Sequence, residues 1–158
     1  MSQKDDFIKK LASLSELRSL AESRARLLQG LHQDGDIDNS AYRRGELLYE
    51  DARAAFNAWL DAVKAEFSTK ESDSPGESTS DLLKSGSTKT EAFLSYADEL
   101  ILGEPRGGVA EAAIELTSKV IDTGVSIWRE LRSSSKERRK QLLSQLDELR
   151  WMPFGDIK

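Results

Sequence analysis

From Val109 to Leu149 the apolar positions keep a single phase. Ala110, Ala113, Thr117, Val120, Gly124, Trp128, Leu131, Ser135, Leu142, Leu146 and Leu149 follow one another at steps of three, four or seven, which holds side chains on one face of an α-helix. The spacing predicts one long amphipathic helix, or two collinear ones. At 1.5 Å per residue it would span roughly 60 Å, more than a small domain needs, so other helices must lie along it to cover the apolar stripe.

One place in that stretch argues the other way. Ser133, Ser134 and Ser135 lower helix propensity, Ser134 with Glu137 has the form of a capping box, and the stripe holds no apolar side chain between Leu131 and Leu142. A break there competes with continuity. The unbroken phase across the gap favours continuity, because a real break usually resets the register.

The covering helices are legible upstream. Residues from about Asp5 to His32 carry Phe7, Leu11, Leu14, Leu17, Leu20, Leu27, Leu28 and Leu31, a wide, slightly drifting apolar face. The segment Gln33 to Ser40 is rich in Asp, Asn and Gly, which bond their own backbone or tolerate positive φ, so it reads as a tight turn. Asp38 or Ser40 then caps a second helix with Ala41, Gly45, Leu48, Ala52, Phe56, Trp59, Val63 and Phe67 on one face. A connection this short predicts an antiparallel hairpin. Trp59 and Trp128 lie at the centres of their stripes and are expected to be buried, with Gly45 and Gly124 allowing close helix approach.

From Ser68 the composition turns to Ser, Thr, Asp, Glu, Pro and Gly, which predicts a flexible linker over about 68–87. Thr88 and Glu91 form a capping box that starts a third helix. Its face is Phe93, Tyr96, Ala97, Leu100 and Ile101, and Gly103 stands where a left-handed C-terminal residue belongs. Pro75, Pro105 and Pro153 all fall outside the periodic segments. The expected architecture is therefore all-α: an antiparallel four-helix bundle of two αα-hairpins in one domain spanning 1–158, ending in a long helix that kinks if the serines win.

Composition narrows what such a fold does. With 158 residues, 32% of them charged and 38% hydrophobic, the chain supports one core and long helices with a wet face, unlike a membrane-spanning or disordered chain. A net charge of −5 argues against general nucleic-acid binding. Cysteine is absent, which removes disulfides, thiolate metal sites and thiol nucleophiles. Met1 to Lys10 does not read as a signal peptide and no apolar run is long enough to span a bilayer, so the expected location is cytoplasmic.

No motif points to catalysis. Asp34, Asp36 and Asp38 match the first acidic positions of a calcium loop, but Asn39, Ala41 and Gly45 then stand where Gly, a large apolar residue and a bidentate Glu are needed. His32 is the only histidine, with no second imidazole for a transition metal and no nucleophile-elbow serine to serve. Glu46 and Glu50 are paired carboxylates without the Glu-x-x-His motif of a di-metal site. The expectation is no enzyme, no metal and no cofactor.

Two features point to binding instead. Arg129, Arg132, Lys136, Arg139 and Lys140 sit at near helical steps on one flank of the last helix, a basic ridge that attracts acidic surfaces or meets the chain's own Glu71, Asp73, Glu77 and Asp81. Trp151, Met152, Phe154 and Ile157 crowd the last eight positions, where polar sequence is usual, so something must cover them: either the tail folds back onto the bundle or it inserts into a partner's groove. If the last helix is continuous, its neighbours are too short to cover it. Leu142, Leu146, Leu149, Trp151 and Phe154 would then form an exposed strip beside the ridge, the mark of an interface. The expected function is a non-catalytic interaction module, an adaptor, regulatory subunit or assembly component that binds another protein or a second copy of itself. The alternative is a nucleic-acid or anionic-membrane binder working through the ridge, disfavoured because no aromatics are interleaved with the charges.

Overall fold

Among the described residues the apolar stripes resolve into five helices: α1 (Gln3–Gln33), α2 (Asn39–Thr69), α3 (Glu77–Leu102), α4 (Gly108–Ser133) and α5 (Lys136–Asp147), followed by a 3-10 turn at Phe154–Asp156. The computed structural model describes residues 3–69, 77–103 and 108–158, and among these there is no strand. Pro75, Pro105, Glu71 and Asp73 lie outside the described residues, as do the side chains of Glu77, Ala110, Ala113 and Thr117. No helix among the described residues is long and apolar enough to cross a membrane.

Helix ends follow local chemistry. Gly35 takes φ +76° after α1, and the pair of bonds from Asp36 N to Leu31 O (2.8 Å) and from Gly35 N to His32 O (3.1 Å) closes the last turn as a Schellman motif. Asp38 then caps α2, its carboxylate accepting from Ala41 N at 2.7 Å. Gly103 ends α3 at φ +76°.

Two boundaries differ from the expectation. α3 begins at Glu77, so 77–87 is helix and only 70–76 of the expected linker lies outside the described residues. Its weak helix formers are overruled by packing. Thr79, Ser87 and Thr90 are buried, Thr90 Oγ1 donates to Gly86 O at 2.7 Å, and the missing side chain at Gly86 lets the helix sit on the Phe56 ring, where a Cβ would lie 3.0 Å from Cδ2. Small side chains that lower propensity in isolation here allow α3 to approach α2 closely.

The second correction concerns the long helix, which is broken. α4 stops at Ser133, and Ser135, at φ −65° and ψ 161°, caps α5 by accepting from Arg138 N at 3.3 Å. Ser134, expected as the cap, instead donates its hydroxyl to Leu131 O at 2.8 Å, while Ser133 donates to Glu130 O at 3.2 Å. Arg139 donates to Leu131 O (2.9 Å) and Ser134 O (3.3 Å), so side chains satisfy carbonyls that the end of α4 leaves without helical amide partners.

Named contacts fix the helix pairs. α1 and α4 run antiparallel, joined by Lys10 to Glu130 at 3.3 Å and Ser13 to Thr123 at 2.9 Å. α2 and α3 are antiparallel too, with the Tyr49 and Phe93 rings 5.5 Å apart and Gly86 against Phe56. Arg24 reaches the buried Asp98 of α3 at 2.7 Å. Trp59 and Trp128 are both buried, as their stripes require, along with Leu17, Leu28, Phe93, Ile127 and Leu131. Gly45 and Gly124 face Leu28 and Leu83 so closely that a Cβ would come within 2.9 Å and 2.3 Å of a δ-methyl.

Candidate functional site

Breaking the helix changes the fate of the residues expected to bind a partner. Leu142, Leu146, Trp151 and Phe154 are at most 4% exposed, and Leu149 is half-buried. The exposed strip expected from a continuous helix is therefore absent: α5 turns back, and its apolar face together with the C-terminal segment is covered by the chain itself. The basic ridge is divided as well. Arg129, Lys136 and Lys140 are exposed on two different helices, Arg132 is half-buried, and Arg139 is folded onto backbone carbonyls with its guanidinium 5.1 Å from the Phe67 ring centre.

The segment from Glu148 to Lys158 lies in a groove between α1 and α2. Its floor is aromatic. Trp151 stacks on Phe56 at 5.2 Å and meets Tyr49 at 5.4 Å, and Phe154 packs edge-on against Tyr49 and Tyr42 at 5.5 and 5.6 Å. Ile157 is buried at the far end. Burying each of these side chains contributes about 1.5–3 kcal/mol relative to leaving it in water.

The walls recognise backbone. On α2, Asn57 accepts from Trp151 N (3.0 Å) and donates to Trp151 O (3.2 Å), Arg53 donates to the same carbonyl at 3.2 Å, Tyr49 donates to Met152 O at 2.8 Å, and Glu50 accepts from Phe154 N at 3.1 Å. On α1, Arg18 donates to Glu148 O at 2.6 Å, Gln29 to Phe154 O at 2.9 Å and Arg26 to Lys158 O at 2.8 Å. Between the turn that ends at Arg150 and the 3-10 turn at Phe154–Asp156 the backbone leaves helical pairing, and its buried groups must find such donors and acceptors. Two α2 ion pairs secure the approach: Lys64 holds Asp147 at 3.0 Å, and Asp61 pairs with Arg150.

Charge in the groove follows from these contacts. The Tyr49 hydroxyl is pushed well above the usual phenol range, first by burial and then by the carboxylates of Glu22 and Glu50, so it stays a donor to Met152. Asp147 is held below the usual carboxylate range, chiefly by the hydrogen bond from Lys64. Arg150 is raised, chiefly by its bond to Asp61.

Apart from Glu50, which was weighed only as half of a carboxylate pair, the wall residues were missed by the sequence reading. A signal was present: Glu50, Arg53, Asn57, Asp61 and Lys64 recur at steps of three and four on one flank of the α2 stripe, and Arg18, Glu22, Arg26 and Gln29 do the same on α1.

His32 serves the interhelical turn. It stacks on Tyr42 with ring centres 3.9 Å apart and shares a 2.7 Å hydrogen bond with Asn39. Among the described residues no group of three or more His, Cys, Asp or Glu side chains is placed to hold a metal ion. Comparison with protein-family models, curated proteins and solved structures yields no match for this chain. Fold and site together define an all-helical protein whose C-terminal segment occupies a backbone-reading groove.

Proposed function

We propose that this protein is a non-catalytic interaction module, its four long helices arranged as one antiparallel bundle, in which the α1–α2 groove and the α5–C-terminal segment are the two halves of a binding device. The observation that carries this reading is the density of side-chain bonds to the backbone of residues 148–158, laid over an aromatic floor. Helix-borne side chains that bind main-chain groups of an extended segment, with aromatic pockets between them, suit a linear peptide as readily as a covalent tail. An extended partner segment with an aromatic, a proline and a second aromatic at the spacing of Trp151, Pro153 and Phe154 fits the same contacts. The ridge reading gains no support, because Arg139 is engaged internally.

A cis segment competes at high effective concentration, so the test uses a chain whose own segment is weakened. A labelled peptide with the sequence of residues 147–158 binds the Phe154→Ala chain and raises its melting temperature, whereas a scrambled peptide does neither. Failure of the peptide to bind a folded Phe154→Ala chain overturns the proposal.

A further inference from the structure

The two helices on either side of the serine hinge share a register that a broken helix does not need. Gly124, Trp128 and Leu131 of α4 and Leu142, Leu146 and Leu149 beyond the hinge fall on one face of a single continuous helix. Two helices separated by a turn orient their faces independently, so this common phase has no role within the bent chain. It has one in a straight chain, where both stripes must face the same way.

At Ser135 straightening turns on one backbone torsion: its φ of −65° suits helix and extended backbone alike, while its ψ must rotate from 161° to about −42°. The bonds that stop α4 are the serine hydroxyls and the Arg139 guanidinium, all side-chain groups at the surface or half-buried. Open surface clefts flank α5. An open cleft of about 430 Å³ separates it from α1 beside Leu11, Ser15 and Gln145, a second of about 360 Å³ lies beside Lys64 and Leu143, and Gln145 Oε1 is buried with no donor.

We infer that two copies of this chain exchange α5 and the C-terminal segment, each straightening its hinge into a continuous α4–α5 helix and placing its Trp151, Phe154 and Ile157 in the α1–α2 groove of the other. The inference rests on the groove reading above and names its occupant. Reciprocal exchange reproduces every groove contact of the single chain, so the two forms differ only at the hinge and in the entropy of association. The hinge residues therefore set the balance.

The chain has no cysteine, so single thiols report uniquely. Arg26 and Lys158 are exposed and their groups meet at 2.8 Å in the groove. Arg26→Cys chains are mixed at high concentration with Lys158→Cys chains and treated with a short bis-maleimide. Exchange gives a dimer linked from position 26 of one chain to position 158 of the other. The Ser134→Ala/Ser135→Ala chain, which loses the cap and the competing hydroxyl, gains dimer affinity by about tenfold or more. Lys136→Pro acts oppositely: proline suits the first position of α5 and the extended Ser135 before it but not a helix interior, so this chain stays monomeric with its melting temperature retained. Monomers at every concentration in the double-alanine chain, or a dimer that persists in Lys136→Pro, overturn the inference. Binding of the 147–158 peptide without any 26–158 link overturns exchange alone, and absence of both removes the groove reading as well.

Discussion

Asn57 holds both backbone groups of Trp151, accepting from its N–H at 3.0 Å and donating to its carbonyl at 3.2 Å. One amide side chain thus does for an extended residue what a neighbouring strand would do, and it fixes where the C-terminal segment turns into the groove. Replacing Asn57 with Asp keeps the acceptor and removes the donor, while Leu removes both. The expected losses are about 1 kcal/mol for Asp and about 1–3 kcal/mol for Leu, read as shifts of the urea midpoint. Equal stability of all three chains would show that water substitutes freely at this position.

Deleting residues 151–158 separates the two pictures of the tail. An exposed interface strip would leave melting unchanged. The burial of Trp151, Phe154 and Ile157 instead predicts a loss of several kcal/mol and a fall in melting temperature of about 10 °C or more. Calorimetry of the truncated chain decides between them.

The buried glycines respond in an order that distance alone would not give. A Cβ at Gly124 comes closer to its neighbour, 2.3 Å from Leu83 Cδ2, than one at Gly86 does to Phe56, at 3.0 Å. Leu83, however, borders a cavity of about 210 Å³ that can take its displaced methyl, whereas the Phe56 ring is stacked on Trp151. Gly124→Ala is expected to be near neutral, since alanine favours the helix by about 1 kcal/mol. Gly86→Ala is expected to destabilise by about 1–2 kcal/mol, and Gly124→Leu, whose branch must pass between Leu83 and Trp59, 2.3 and 3.8 Å from the Cβ position, by about 1–3 kcal/mol. Thermal melts of the three variants check the order.

Alkaline pH acts through Tyr49. Its folded-state pKa is raised above the ordinary value of 10.0, chiefly by burial, so the unfolded chain loses the proton first. The stabilisation is fully present below pH 10 and declines as the pH rises beyond it. Tyr49→Phe leaves Met152 O without its donor and lowers stability at neutral pH, but it flattens the alkaline limb. An alkaline limb of unchanged steepness in Tyr49→Phe would place the sensitivity elsewhere.

The sequence by itself determined α1, α2, the later part of α3 and much of the core. Periods of three and four marked the apolar faces of α1 and α2, the Asp38 cap and Gly103 marked helix ends, and Trp59 and Trp128 stood on stripe centres that are buried. These features depend on residues near in sequence, whose side chains share a face or bond adjacent backbone, and such effects survive without knowledge of the partner surface.

Tertiary structure alone decided the rest. Whether residues 77–87 were linker or helix turned on the fit of Gly86 to Phe56, a contact between two helices that propensity does not contain. The hinge at Ser133–Ser135 was a near balance between helix continuation and side-chain capture of its carbonyls, settled by Arg139 and by the depth of the groove waiting for Trp151 and Phe154. A stripe of apolar residues states that it must be covered; only the packed chain states by what, because burial is shared between surfaces far apart in sequence and local preferences differ by less than one such contact is worth.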